Sequence, residues 1–315
     1  MVRRLFPGLT SISAALTSSS CRLLLAAIVA ALLAAPAQAQ DDDVIKFNVD
    51  PVTVNVAVKD GKGRSLLGLK PHDFRITDEN NPVIPEFFDG DGPASIIFVV
   101  DVSSSMRGEK WNGLICGLKN FLKKARDGND YTLIAFSNNV QVLAQSVSAA
   151  DFLSRLRELK PFGDTALYDG VLVGFDVLKQ LPQRHKAVVL ISDGEDNSSR
   201  LGLAEVEKGA SASRTTIYSI GLLLKDSCKD GLQNACVGQE TVSRLAKVSG
   251  GLAFFPDSPR ELSSVLKEIS TDVSSQYSLS YYPPDKKSGW RQVHVALAET
   301  EQRPKLRYQQ RYLMR

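Results

Sequence analysis

The chain has 315 residues, of which 43% are hydrophobic and 23% charged, enough apolar material for one large core and a smaller neighbour. Its formal net charge of +3 comes wholly from Arg3, Arg4 and Arg22 near the amino terminus, and the remaining basic and acidic residues balance. That balance provides no basic surface of the kind that binds nucleic acid.

Residues 1–39 read as an export signal. Three arginines precede the apolar run 23–35, and Ala37-Gln38-Ala39 forms an A-x-A cleavage site. The run is short for a membrane span, and no other segment is suited to crossing a bilayer, so a secreted or periplasmic product is expected. The rival reading is an uncleaved amino-terminal anchor. Cys21 precedes the apolar run and does not fit a lipid attachment site.

After the acidic start Asp41-Asp42-Asp43, residues 44–49 and 52–58 alternate apolar and polar side chains, the pattern of strands in an antiparallel sheet. Asp60-Gly61-Lys62-Gly63 follows as a turn; no helix comes after it, which argues against a phosphate loop. Residues 74–77 and 83–88 are two further short strands, and Asp89-Gly90-Asp91-Gly92-Pro93 is a linker.

From Ala94 the pattern changes to strands alternating with helices. Strands are expected at 96–100, 130–136, 140–145, 186–192, 215–224 and 251–255, and helices at 110–126, 149–159, 166–181, 201–213, 239–248 and 260–273. Ser137-Asn138-Asn139 joins the second and third strands as a tight turn, making residues 140–145 an antiparallel edge. The expected fold class is α/β, a doubly wound, mostly parallel six-stranded sheet of Rossmann-like form. Its first and fourth strands flank the crossover point where ligands gather.

Residues 277–282, 290–298 and 305–313 return to strand character, separated by Pro283-Pro284 and Gly289. Neither flank has enough strands for an independent domain. The two flanks are therefore expected to pair into one antiparallel β-sandwich into which the α/β domain is inserted. The expected layout is a signal at 1–39, sandwich parts at 40–93 and 283–315, and the inserted domain at 94–282.

Cys228 and Cys236 flank a short polar loop, and an exported chain permits a disulfide between them. Cys116, in the amphipathic helix, is expected to be a packed free thiol.

The apolar run Ile96-Ile97-Phe98-Val99-Val100 ends abruptly in Asp101, followed by Ser103 and Ser105. This reads as a central parallel strand delivering oxygen ligands at its carboxyl end, with a hard divalent cation as the natural occupant. Each part also has a plainer reading. Asp101 and the serines suit a helix cap, Thr165 an N-cap, and Asp193-Gly194 an ordinary turn.

Three motifs, taken together and in order, resemble von Willebrand factor type A domains. Asp101-Val102-Ser103-Ser104-Ser105 matches the family's Asp-x-Ser-x-Ser. The stretch 162–170, beginning Phe162-Gly163-Asp164-Thr165, resembles the second loop, and Ile191-Ser192-Asp193-Gly194 resembles the end of the fourth strand. With its β flanks, the whole chain looks like bacterial secreted proteins related to this family. The resemblance implies a metal-ion-dependent adhesion site with Asp101, Ser103, Ser105, Thr165 and Asp193 as ligands to Mg²⁺, or to Ca²⁺ or Mn²⁺. It also implies a protein partner that offers an Asp or Glu carboxylate as the last ligand.

Enzyme readings fare worse. A haloacid-dehalogenase-type phosphotransferase needs a second acid two residues after the first, where Ser103 stands. The serine run lacks the glycines of a nucleophile elbow, and His72, His185 and His294 are read as surface or packing residues. Glu195 and Asp196 beside Asp193 are read either as a bias toward cations or as a solvated loop. The aromatic residues Tyr277, Tyr281 and Tyr282 are read as strand packing. A non-enzymatic binding protein is therefore expected, the alternatives being a structural or assembly protein of the cell envelope that does not use the metal for ligand capture and, third, a metal-dependent hydrolase.

Overall fold

The computed structural model describes residues 51–90, 92–124, 126–181, 185–222, 233–298 and 304–314, with the side chains of 233–236 and 259 left aside. The expected export signal, the strand at 44–49 and Cys228 lie outside the described residues. So does the Cys228–Cys236 pairing.

The α/β part is built on β5 (Ala94–Asp101), β6 (Asp130–Phe136), β7 (Val140–Val147), β8 (His185–Ser192), β9 (Thr216–Gly221) and β10 (Ala253–Phe254). They form one sheet in the order β10-β9-β8-β5-β6-β7, parallel except for the β6–β7 pair. Every residue of β5 is buried. A strand covered on both faces must be apolar throughout, which is why its sequence shows a run rather than an alternation.

Among the described residues, six helices cover the two faces. Against Ile96, Phe98 and Val100 pack α1 (Glu109–Leu122) through Leu114 and Leu118, α2 (Ala149–Glu158) through Phe152 and Leu156, and α6 (Leu262–Ser274) through Leu266 and Ile269. Against Ile97 and Val99 pack α3 (Leu167–Leu178) through Val171 and Phe175, α4 (Leu203–Ser213) through Val206 and Ala210, and α5 (Gln233–Val248) through Leu245. Burial of each such side chain is worth about 1.5–3 kcal/mol. α2 starts where Ser148 accepts a hydrogen bond from the Asp151 backbone N–H at 3.2 Å, satisfying a donor that the first turn leaves free.

Among the described residues, the flanks form two four-stranded antiparallel sheets. The first joins β1 (Val52–Lys59), β4 (Phe87–Asp89), β11 (Tyr277–Tyr281) and β13 (Lys305–Arg307) in the order β13-β1-β11-β4. The second joins β2 (Phe74–Asp78), β3 (Asn81–Val83), β12 (Gly289–Leu297) and β14 (Arg311–Met314) in the order β14-β12-β2-β3. Val52, Val54, Val56 and Val58, two residues apart on one face of β1, share a core with Phe74, Ile76, Leu279, Val293 and Val295.

Four sequence expectations are corrected. β11 lies before the boundary drawn at 282, yet it pairs with β1 from Val52↔Tyr281 to Val56↔Tyr277 and so belongs to the flanking sheets. The single strand expected over 305–313 is two strands, β13 and β14, which pair in different sheets. α5 begins at Gln233, six residues before the helix read from periodicity, so the backbone of Cys236 falls within it. Cys116 is exposed, because the buried face of α1 is set by Leu114, Gly117, Leu118 and Phe121, and position 116 points away from it.

Candidate functional site

Asp101 is the last residue of β5, and it is fully buried. The parallel register with β8 sets Val100 opposite Ile191, bringing the ends of both strands together. There the Ser192 hydroxyl donates to Asp101 Oδ2 at 2.7 Å, and the Ser103 backbone N–H donates to Asp101 Oδ1 at 2.8 Å. Ser192 Oγ in turn accepts from the Gly194 N–H at 2.9 Å. The hydroxyls of buried Ser103 and exposed Ser105 lie 2.9 Å apart.

The Thr165 loop is held at the same end by backbone bonds. Ser104 N–H donates to Gly163 O at 2.9 Å and Gly163 N–H to Ser104 Oγ at 3.0 Å, while Phe162 N–H donates to Val102 O at 2.7 Å. Ala166 N–H donates to Ser137 O at 2.8 Å, just past the end of β6. Gly163 has φ +88°, a conformation that strains any side-chain-bearing residue, and a Cβ there would also displace the Asn138 side-chain tip, 1.8 Å away. Thr165 is buried; its N–H donates to Asn197 Oδ1 at 2.8 Å, and its carbonyl accepts from the Asn197 and Ser198 N–H groups.

Asp193 follows β8 and is also buried. Its Oδ2 accepts from Lys110 Nζ at 3.1 Å, whereas Oδ1 is buried without a hydrogen-bond partner. The loop is pinned by two glycines: Gly194 has φ +84°, and a Cβ on it would meet the Gly238 carbonyl oxygen at 2.3 Å. Burial pushes the Asp101 carboxyl up to about 6, and the nearby Asp193 adds to the rise. Hydrogen bonds from Ser103 and Ser192 oppose it.

The helix-cap readings of Asp101, the serines and Thr165 do not hold. The residue preceding α1 is Gly108, with no side-chain cap; Ser103 makes no cap bond to the short 3₁₀ turn Ser104–Met106; and Ala166, not Thr165, precedes α3, again without a side-chain cap. The first turn of α3 is instead served from the 196–199 loop. Asp196 Oδ2 accepts from the Tyr168 N–H at 3.1 Å and Ser199 Oγ from the Asp169 N–H at 3.1 Å. This gives Asp196 a structural role, while Glu195 is exposed.

Five oxygen-bearing side chains, two of them carboxylates, thus belong to one end of the β5–β8 seam, and a buried carboxylate oxygen there lacks a donor. That chemistry fits a hard divalent cation, which prefers oxygen ligands and keeps bound water. Among the described residues, no group of three or more His, Cys, Asp or Glu side chains is arranged to hold a metal, so hydroxyls are essential to any such site.

The histidines lie elsewhere. His72 is exposed in the short 3₁₀ turn Pro71–Asp73 before β2, His294 is exposed on β12, and His185, expected in a loop, is the buried first residue of β8, at the far end from Asp193. Its Nδ1 is 3.2 Å from Ser278 Oγ. Sequence reasoning missed Lys110, Ser192, Asn197 and Gly238. Lys110 alone carried a signal, as a cation in the first turn of the helix that follows the serine loop.

Residues 96–195 match the family of von Willebrand factor type A domains. Inter-alpha-trypsin inhibitor heavy chain H2 of Mus musculus is 25% identical over 199 residues, covering 58% of this chain and 20% of that protein. The chain thus spans about a fifth of the length of the curated relatives it matches. Among solved structures, a von Willebrand factor type A protein from Catenulispora acidiphila is 12% identical with a TM-score of 0.49, covering 85% of this chain and 74% of that one. Proximal thread matrix protein 1 from the mussel byssus, solved with a zinc-occupied MIDAS motif, is 19% identical with a TM-score of 0.48, covering 63% and 50%. The match to the von Willebrand factor type A domain covers residues 96–195, and Asp101, Ser103, Ser105, Thr165 and Asp193 all lie inside that segment.

Proposed function

We propose that the protein is an exported, non-enzymatic binding protein that captures a protein partner through a divalent cation held by Asp101, Ser103, Ser105, Thr165 and Asp193. Mg²⁺ is the first choice, with Ca²⁺ or Mn²⁺ as alternatives. The observation that carries this reading is the donor set itself: buried Asp101 and Ser103, hydroxyl-linked to exposed Ser105, beside an Asp193 whose Oδ1 lacks a hydrogen-bond donor.

The division of labour follows from charge and exposure. Asp101, fixed by Ser192 and the Ser103 N–H, anchors the ion's place and cannot swing away. Ser103, Ser105 and Thr165 contribute neutral oxygens that do not quench positive charge. When bound, the cation supplies Lewis-acid attraction for one further anionic oxygen, which suits a carboxylate of a partner's Asp or Glu. Ser105 lies on the open side, where such a group would approach, and exposed Phe162 borders the Thr165 loop.

The non-enzymatic reading rests on the placement of reactive groups. None of the three histidines is bonded to Ser103 or Ser105, so neither hydroxyl has the histidine partner of a serine nucleophile. Export rests on the amino-terminal 39 residues. No helix among the described residues is long and apolar enough to cross a membrane.

Isothermal titration of the purified chain with Mg²⁺ and Mn²⁺ tests the metal. Saturable binding at one site, abolished in Asp101→Ala, is expected. Absence of binding in the wild-type chain, or binding indifferent to that substitution, refutes the reading.

A further inference from the structure

The Asp193 carboxylate already has a cation. Lys110, the second residue of α1, reaches across to it with Nζ 3.1 Å from Oδ2, and the two side chains keep only 25% and 8% of their surface exposed. The ammonium serves one carboxylate oxygen and leaves Oδ1 buried and without a donor. β8 and α1 are far apart in the chain, so this pair also ties the end of the fourth strand of the α/β sheet to the helix behind the serine loop. An ammonium ion can neutralise Asp193 but cannot act as a metal does. It offers hydrogens only and has no vacant coordination position for an incoming carboxylate.

We infer that Lys110 is a built-in competitor for the divalent cation: its ammonium holds Asp193 when no metal is present and opposes metal entry. The inference rests on the metal-binding reading above. Two forces act in the same direction. The ion must draw Asp193 away from a partner that already compensates its charge, and it must do so with a like charge close by. With water-like screening, a unit charge about 6 Å from a divalent ion weakens its binding roughly tenfold, and with poorer screening the effect grows. Lys110 thus sets the site to a weak affinity. It also keeps the empty site from leaving a buried carboxylate uncompensated, which is costly.

Titration of Mg²⁺ into wild type, Lys110→Met and Lys110→Arg, together with melting curves in EDTA and in saturating Mg²⁺, tests this. Lys110→Met is expected to bind Mg²⁺ about tenfold more tightly than wild type, while Lys110→Arg, which keeps the charge, stays within about threefold. In EDTA the Met variant melts below wild type, and saturating Mg²⁺ closes the gap. If wild type binds Mg²⁺ and Lys110→Met binds it equally or more weakly, Lys110 is not a competitor and the inference alone falls. If neither wild type nor Lys110→Met binds, the metal-binding reading falls and takes the inference with it. If only Lys110→Met binds, the competition is stronger than stated and the inference stands.

Discussion

Ser192 and Asp101 end neighbouring parallel strands, and the 2.7 Å hydrogen bond from the Ser192 hydroxyl to Asp101 Oδ2 locks the seam between β5 and β8 where the candidate metal site lies. The same Ser192 Oγ accepts the Gly194 N–H, so one hydroxyl fixes both the anchoring carboxylate and the loop that carries Asp193. Ser192→Ala should therefore act on both. It leaves a buried carboxylate oxygen and a buried N–H short of a partner, a loss of about 1–3 kcal/mol in urea unfolding. Mg²⁺ binding at pH 7.5 should weaken severalfold by calorimetry, because Asp101 loses a bond that favours its charged form. Unaltered stability would show that the bond contributes nothing.

The pH dependence has a definite sign. Asp101 rises from its ordinary 3.8 to about 6 in the fold, mainly through burial, so the folded chain holds this proton more tightly than the unfolded one. Its contribution to stability is complete below pH 3.8 and is lost as pH rises through about 6. The loss is of the order of 3 kcal/mol without metal. A cation that binds the carboxylate must displace that proton. Mg²⁺ affinity should therefore be flat above pH 7 and fall up to tenfold per unit below about 6, with proton release detected by titrating in buffers of different ionisation enthalpy. Affinity independent of pH between 5 and 8 would mean that Asp101 does not bind the ion.

Much of this arrangement is legible in the residues. The run Ile96–Val100 announces a strand buried on both faces, and its stop at Asp101 places a carboxylate at the strand's carboxyl end, as observed. The turn residues Ser137-Asn138-Asn139 announce the antiparallel edge β7, also observed. What periodicity cannot show is the identity of a strand's partner. Alternation says which face of residues 277–281 and 305–313 is buried, and only tertiary pairing decides that β11 joins β1 or that the latter segment divides between two sheets. Ser192 was illegible, and the signal of Lys110 ambiguous, for another reason. A lysine in a helix's first turn reads as a solvated charge and a serine at a strand end as a polar stop, until folding brings each to a carboxylate dozens of residues away. Cys116, by contrast, could have been read correctly, since the spacing of Leu114, Leu118 and Phe121 puts it off the buried face.

The Gly194–Gly238 contact offers a test of how firmly Asp193 must be held. A Cβ on Gly238 would stand 2.7 Å from the Asp193 carbonyl oxygen, and backbone cannot yield as a flexible side-chain tip does. Gly238→Ala should push the start of α5 away from the loop. The expected result is a destabilisation of about 1–3 kcal/mol, as for other overpacked sites, and weaker Mg²⁺ binding through displacement of Asp193. Gly194→Ala adds backbone strain at φ +84° and should be worse on both counts. Wild-type stability and metal affinity in Gly238→Ala would show that the loop adapts freely.

In the flanking sheets the test falls on Asp78, which has no exposed surface and gathers three partners from both sheets. Arg291 Nε on β12 donates to its Oδ1 at 2.9 Å; the hydroxyls of Tyr281 on β11 and Tyr312 on β14 donate to Oδ2 at 3.2 and 2.8 Å. Tyr281 crosses from one sheet to reach a carboxylate in the other, so the aromatic residue read as simple packing also makes a polar tie across the sandwich. Such a cluster is costly to bury, and removing one member is costlier than never having built it, because the remaining charge has no water to turn to. Asp78→Ala leaves Arg291 with Asp285 alone and the two tyrosine hydroxyls with only each other, and should cost about 3–5 kcal/mol in chemical denaturation. Asp78→Asn keeps an acceptor oxygen and should cost less. Since the cluster lies in the sandwich core and the metal site at the end of the α/β sheet, Mg²⁺ affinity measured on the folded fraction of Asp78→Asn should match wild type. A change in that affinity would reveal a coupling between the Asp78 cluster and the candidate site, whose residues are not hydrogen-bonded to one another.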